Sequence, residues 1–508
     1  MLVKVYSGAI IGIESITVTI EVNILAGAKF IIVGLPDIAV KESQQRVDSA
    51  LRCIGYKIPG KRTIINMAPA NIRKEGSFYD LAMAIGILAA DGHLSPHSLE
   101  SFVFMGELSL DGTLRPVKGV LPIAINAQKS GFKNLIVPMV NANEASLVSD
   151  INVFGCTNLK QVLDFLVGNI NIKRTTYLEK PTSFISYNDF KDVKGQENVK
   201  RAMEIAACGG HNILLIGSPG SGKTMLAKCM PGILPPLTKE ESLETTKIHS
   251  VAGNLNSLGH LITERPFRAP HHTISEVALI GGGVYPHPGE ISLANNGVLF
   301  LDELPEFKRS TLEVLRQPLE ERVITISRAR FSVQYPANFM LIASMNPCPC
   351  GYYTHPTREC ICPPGAISRY LSKISGPLLD RIDLHIEVIP VEIDKMTSNK
   401  EAESSSCIRQ RVLLGRNIQL KRYKKAKGVY CNAQMTTNML KKYCPLNKSC
   451  ISLLKVAINK FGLSARAYTR IVKLSRTIAD LSGSEQILDE HVAEAIGYRC
   501  LDRQTWGN

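Results

Sequence analysis

Short alternating apolar and polar runs interleaved with helical stretches fill residues 1 to about 172, with turn punctuation at Gly34-Leu35-Pro36, Ile58-Pro59-Gly60 and Asp111-Gly112. Lys173 to Asn188 is polar, contains Pro181 and keeps no period, so 173–188 reads as a linker. From Phe190 to about Val391, strand-length apolar runs alternate with helix-length segments, the pattern of a parallel α/β core over 189–395. A second low-hydrophobicity stretch, Thr397 to Ser406, precedes a helical region over 396–508. There Leu463, Ala467, Ile471, Leu474, Ile478 and Leu481 recur at spacings of three and four, while Arg466, Arg470 and Lys473 line another face. The expected fold class is therefore a multidomain α/β protein: an α/β N-terminal domain, a parallel-sheet core and a helical C-terminal domain. No internal repeat and no long low-complexity tract interrupts that order.

Composition changes the picture in three ways. At roughly 150 residues per domain, 508 residues suit about three domains, and 45% hydrophobic with 20% charged residues excludes a disordered or fibrous chain. Glu14 and Glu21 break the early apolar stretches and no run of about 18 apolar residues occurs, so neither a signal peptide nor a membrane span is predicted and a cytoplasmic location is expected. The net charge of +14 is uneven, because residues 401–508 carry nineteen basic and eight acidic side chains, which points to a polyanionic partner.

The strongest chemical signal is Gly217-Ser218-Pro219-Gly220-Ser221-Gly222-Lys223-Thr224, a complete phosphate-loop pattern between the apolar strand Ile213–Ile216 and a helical start at Met225. Its glycines let backbone N–H groups turn toward phosphates, Lys223 reaches the β and γ oxygens of ATP, and the Thr224 hydroxyl ligates Mg²⁺. Some eighty residues later the apolar run Val298–Leu301 ends in Asp302 and Glu303, an acid for Mg²⁺ and an acid to orient the attacking water. A third strand, Phe339 to Ser344, ends near Asn346, placed to contact the γ-phosphate or water.

These elements, with Pro266-Phe267-Arg268-Ala269-Pro270-His271-His272-Thr273-Ile274-Ser275, Gly376-Pro377-Leu378-Leu379-Asp380-Arg381-Ile382-Asp383-Leu384 and Leu463-Ser464-Ala465-Arg466-Ala467-Tyr468, resemble the YifB/ComM family of magnesium-chelatase-like AAA+ ATPases from about residue 3 to residue 500. The resemblance implies that Asn346 is the first sensor, Arg381 the arginine finger reaching a neighbouring subunit, and Arg466 the second sensor in the helical lid. Arg369 is the alternative finger, and Arg381 is alternatively a structural partner of Asp380 or Asp383. The resemblance also implies a homo-oligomer, expected to be a hexamer, that translocates single-stranded or branched DNA without sequence preference and promotes branch migration in recombination or natural transformation. A magnesium-chelatase-like motor or a chaperone-type ATPase acting on a protein partner is the rival reading.

Two segments are candidates for touching DNA. Residues from about 238 to 295 read as the family's helix-2 insertion and contain Arg268. Val323 to Gln334 reads as the family's pre-sensor-1 hairpin, with Arg328 and Arg330 at its turn. An ordinary surface hairpin is the plainer alternative. With only 6% aromatic residues, base-specific readout is not indicated.

Thirteen cysteines, an odd number, argue against a disulfide framework, but Cys348, Cys350, Cys360 and Cys362 form two Cys-x-Cys pairs nine residues apart. They suit a structural Zn²⁺ site, with reduced buried or redox-labile thiols as the alternative. Finally, Gly106 to Val117, Ile136-Val137-Pro138 and Lys74 to Asp80 resemble the Lon proteolytic domain, so residues 1–172 are expected to be Lon-like. The nucleophile and base positions of that domain fall on Phe78 and Leu121, so no proteolysis is expected. Only a slipped register would offer Ser77 and Lys118 instead.

Overall fold

A computed structural model describes residues 2–57, 60–177, 188–255, 260–283, 286–328, 331–353, 355–391, 402–426 and 428–499. Most of the expected linker, the start of the second connection, the C-terminal 500–508, Arg330 and the side chain of Arg328 lie outside the described residues.

The N-terminal domain is a seven-stranded mixed sheet. In spatial order its strands are Phe30–Val33, Arg62–Ala68, Glu14–Leu25, Leu2–Ile11, Phe102–Phe104, Asn134–Pro138 and Asn152–Cys156. Val3, Val5, Val18, Ile20 and Val22 point at the helix Asp80–Ala90, which is buried along its whole length. One acid lies in that helix without solvent: Asp80 accepts from the Arg46 guanidinium at 2.6 and 3.1 Å, which satisfies the buried charge.

The second sheet is all-parallel, with strands in the order Phe267–Arg268, Val298–Leu301, Met340–Met345, Ile213–Gly217 and Leu384–Val388. Side-chain alternation along Ile213–Gly217 divides what the sheet touches. Ile213 and Leu215 pack with the helix Glu197–Gly209 and, through Ile471, Leu474 and Ile478, with the C-terminal helices. Leu214 and Ile216 face the other way, into a core shared with the hairpin residues Ile324, Ile326 and Val333 and with Tyr370, Leu378 and Ile382. Events at this one strand are therefore adjacent to the helical domain on one face and to the hairpin on the other.

The helix-2 region differs from its sequence reading in one respect. Phe267–Arg268, inside the stretch 238–295, is an edge strand of the parallel sheet, paired with Val298–Leu299. Two residues are too short to leave a periodicity, so the sequence pattern could not separate this strand from the inserted segments around it.

The N-terminal domain docks on the helix Lys239–Ala252. Gly119 N–H donates to Ser250 O at 3.1 Å, the Ser250 hydroxyl donates to the buried Glu144 carboxylate, and Lys247 pairs with Glu14 at 2.6 Å. The helical domain consists chiefly of Ser405–Tyr423, Lys448–Phe461, Ala465–Leu481 and Asp489–Gly497. The apolar stripe read from 463 to 481 is its contact face: Ala467, Ile471, Leu474 and Ile478 are buried. Among the described residues no helix is long and apolar enough to cross a membrane.

Candidate functional site

The loop after Ile213–Gly217 wraps the start of the helix Lys223–Ile233, with Gly222 in the left-handed region at φ 90°. The Lys223 ammonium is almost buried. It donates to Gly217 O at 2.7 Å, Ser218 O at 2.9 Å and Asn346 Oδ1 at 3.2 Å. Burial pushes its pKa down while Asp302 and Glu303 pull it back up. Lys223 thus stands over the loop, linked to the strand-end residue Asn346 that the sequence marked as sensor.

Thr224 Oγ1 donates to Asp302 Oδ2 at 2.8 Å, and the Ser344 hydroxyl holds the other Asp302 oxygen. An alcohol and a carboxylate side by side at a helix N-terminus are the hard oxygen donors that Mg²⁺ takes alongside nucleotide phosphates, so the residues fit that ion. Sequence reasoning gave Asp302 no partner in Ser344. Strand register supplies it: Leu301 pairs with Ala343, which sets the next residues of the two strands beside each other.

Glu303 is a non-glycine residue with φ 54°, in the left-handed region, and its carboxylate is exposed. This turn separates its direction from that of Asp302: one acid goes to Thr224 and Ser344, the other to an open cleft of about 660 Å³. The cleft is lined by Glu303, Asn346, His272, Arg369, Tyr370 and Lys373. His272 Nδ1 lies 3.7 Å from Glu303 Oε2. Arg369, the alternative finger, is thus in its own chain's cleft.

Arg381 is elsewhere. It is 6% exposed, its Nη1 donates to Pro377 O at 2.7 Å and its Nη2 pairs with Glu320. Its partner is neither Asp380 nor Asp383. Arg466 Nη2 lies 3.5 Å from the other oxygen of the same Glu320, so two arginines read from segments 85 positions apart share one carboxylate. Glu320 was not found from the sequence, because a lone acid in the short helix Arg316–Glu321 carries no pattern.

Of the residues expected at DNA, Arg268 gives both guanidinium edges to Glu290, at 2.6 and 2.7 Å. It is thereby engaged within the chain. The hairpin exists as expected, Val323–Arg328 against Phe331–Pro336 in antiparallel register.

The four cysteines come together, with all Sγ atoms within 4.8 Å of one another. Cys348 to Cys350 is 3.3 Å, Cys350 to Cys360 is 3.5 Å and Cys348 to Cys360 is 3.7 Å. These separations exceed a disulfide's ~2.05 Å. They lie near the ~3.8 Å edge of a tetrahedron with Zn–S ~2.3 Å, so the residues fit zinc. The knuckle also touches the nucleotide loop: Gly351, at φ +84°, approaches Pro219 so closely that a Cβ there would stand 2.5 Å from the proline Cδ.

In the N-terminal domain, the Ser77 hydroxyl donates to Glu107, and the Lys118 side chain lies over Gly253 of the nucleotide core. Leu121, at the expected base position, is fully buried.

A parallel sheet with the phosphate-loop strand between Met340–Met345 and Leu384–Val388, and with Lys223, Thr224, Asp302, Glu303 and Asn346 gathered at one end, defines a P-loop nucleotide-binding core of the AAA+ class. Three family models agree on its kind: "Magnesium chelatase, subunit ChlI" matches residues 189–396, "Subunit ChlI of Mg-chelatase" residues 20–141, and "Magnesium chelatase, subunit ChlI C-terminal" residues 402–499. The chain is 48% identical over 506 residues to the competence protein ComM of Haemophilus influenzae, covering 98% of this chain and 97% of that protein. It is 44% identical over 504 residues to YifB of Salmonella typhimurium and 43% over 505 to YifB of Escherichia coli, with 98% of this chain and 97% of each relative covered. The chain belongs to the YifB/ComM family of magnesium-chelatase-like AAA+ proteins.

Proposed function

We propose that the protein is a Mg²⁺-dependent ATP hydrolase that works as a ring, of six subunits by family resemblance, and drives DNA through or across itself during recombination of incoming DNA. The observation that carries this reading is the pairing of a complete nucleotide site with full-length similarity to a protein named for competence. Lys223 holds the β and γ phosphates, and Thr224 and Asp302 hold Mg²⁺, which supplies charge neutralisation when bound. Glu303, turned into the open cleft, orients the attacking water and accepts its proton. Asn346 contacts the γ-phosphate beside Lys223, Arg381 completes the site of the next subunit, and Arg466 reports it to the helical lid.

The hairpin tip at Arg328 and Arg330, with the basic helical domain, supplies the sequence-independent contacts to phosphates. The N-terminal domain serves assembly rather than proteolysis, since Ser77 and Lys118 are engaged apart from one another. Zn²⁺ held by Cys348, Cys350, Cys360 and Cys362 braces the segment between Asn346 and Arg381.

ATP turnover with single-stranded, duplex and four-way-junction DNA, for wild type, Glu303→Gln and Arg381→Ala, tests this. DNA-stimulated turnover lost in both variants is expected. Normal turnover in both variants overturns the site assignment. Turnover indifferent to every DNA but raised by a protein partner transfers the function to protein remodelling.

A further inference from the structure

Arg381 and Arg466 are bound in different ways to the rest of the chain. Arg381 is enclosed, yet its Nε has no hydrogen-bond partner among the described residues, so its enclosure is incompletely satisfied. Arg466 is half exposed and has only the 3.5 Å contact to Glu320 as an ion pair among the described residues. Glu320 itself is 44% exposed, so each pair is weak enough to exchange.

The contacts around these pairs are firmer. Two residues beyond Arg381, the buried Asp383 is bound by Arg470 at 2.5 Å, one helical turn beyond Arg466. The finger segment and the lid helix are thereby joined, and both present an arginine to the same carboxylate. Glu320 sits at the end of the helix Arg316–Glu321, which passes through Arg322, at φ +59°, straight into the hairpin strand Val323–Arg328.

We propose that Glu320 is a positioning residue: it occupies Arg381 and Arg466 in the resting subunit and yields them to the terminal phosphate of ATP bound at the subunit boundary. A γ-phosphate carries more charge than a carboxylate and accepts guanidinium groups bidentately, so it wins the competition when it comes within reach. Release uncouples the helix Arg316–Glu321 from the finger and lid, and the hairpin rooted on that helix is freed to move. Glu320 thus makes hairpin position depend on the nucleotide state of the boundary. This rests on the ATPase reading above.

The test is ATP turnover against protein concentration, with and without duplex DNA, for wild type, Glu320→Gln, Glu320→Asp and Arg381→Ala, with a thermal melt for each. Glu320→Gln is expected to raise DNA-free turnover about threefold, the weight of one half-exposed ion pair. It should also lower the protein concentration for half-maximal turnover and shrink the stimulation by DNA, with an unchanged melt and with Glu320→Asp close to wild type. Unchanged turnover and stimulation in Glu320→Gln overturns the proposal, as does turnover that falls together with the melting temperature, which marks a structural role only. Undiminished turnover in Arg381→Ala is a separate failure, that of the finger assignment, and removes the ground for the proposal as well.

Discussion

The Asp383 carboxylate and the Arg470 guanidinium meet at 2.5 Å, joining the segment that carries Arg381 to the lid helix that carries Arg466. Asp383 also accepts from Asn212 N at 2.9 Å and has His211 3.6 Å away. Burial alone would raise its pKa, but Arg470 and His211 outweigh that and hold it well below the ordinary carboxylate range. Arg470→Ala leaves this carboxylate enclosed without its counter-charge, at a cost of about 3 kcal/mol. Denaturant unfolding should show that loss, and the double variant Asp383→Asn, Arg470→Gln should recover part of it. If the single variant unfolds at the wild-type midpoint, the joint is not structural.

Ser344 is expected to matter as much as a residue of the phosphate loop. Its hydroxyl holds the Asp302 oxygen that faces away from Thr224. Ser344→Ala removes a hydrogen bond to a charged acceptor, worth about 1.5 kcal/mol, so kcat should fall about tenfold while nucleotide affinity measured without Mg²⁺ is unchanged. A kcat equal to wild type would show that Asp302 is oriented without it.

The sequence made the phosphate loop, the Asp-Glu strand and the cysteine pairs legible because each is local. Gly217 to Thr224 and the run Val298 to Glu303 carry their chemistry within eight contiguous residues or fewer, and the strands beside them are apolar enough to mark the sheet. Ser344, His272 and Glu320 were not legible, because their roles come from strand pairing and domain docking. Ser344 is one serine in a buried strand until the register sets it beside Asp302. Arg381 was identified by resemblance, but its carboxylate partner lies 61 positions earlier and no spacing rule reaches it. Arg268 illustrates the converse: a basic residue in a suggestive segment is engaged by Glu290, which only the three-dimensional neighbourhood reveals.

Gly351 makes the cysteine knuckle a neighbour of the nucleotide. At φ +84° and against Pro219, the position excludes any side chain without displacement of the phosphate loop. Gly351→Ala should therefore weaken ATP binding about tenfold while leaving bound zinc, measured by metal analysis, at the wild-type level. Cys360→Ser should reduce zinc content and ATP affinity together. Zinc lost without any change in ATP affinity would separate the knuckle from the nucleotide site.

Lys473 gives the lid a pH dependence whose sign follows from its surroundings. It lies on the lid helix, donates to Ala433 O at 2.9 Å, and burial pushes its pKa down to about 8, with Asp383 opposing and Arg322 and Arg470 adding to the shift. An unfolded lysine titrates near ~10.4. Between about pH 8 and ~10.4 the unfolded chain holds the proton that the folded chain has released, so the contribution of Lys473 to stability rises with pH across that window. Below about pH 8 both states hold the proton, and the folded state bears the full cost of a poorly solvated ammonium. Lys473→Met removes this cost along with one hydrogen bond. The melting temperature of the variant relative to wild type should therefore be highest at pH 7 and should decline steadily toward pH 10. A difference between the two proteins that stays constant from pH 7 to pH 10 would show that Lys473 keeps an ordinary lysine pKa in the folded lid.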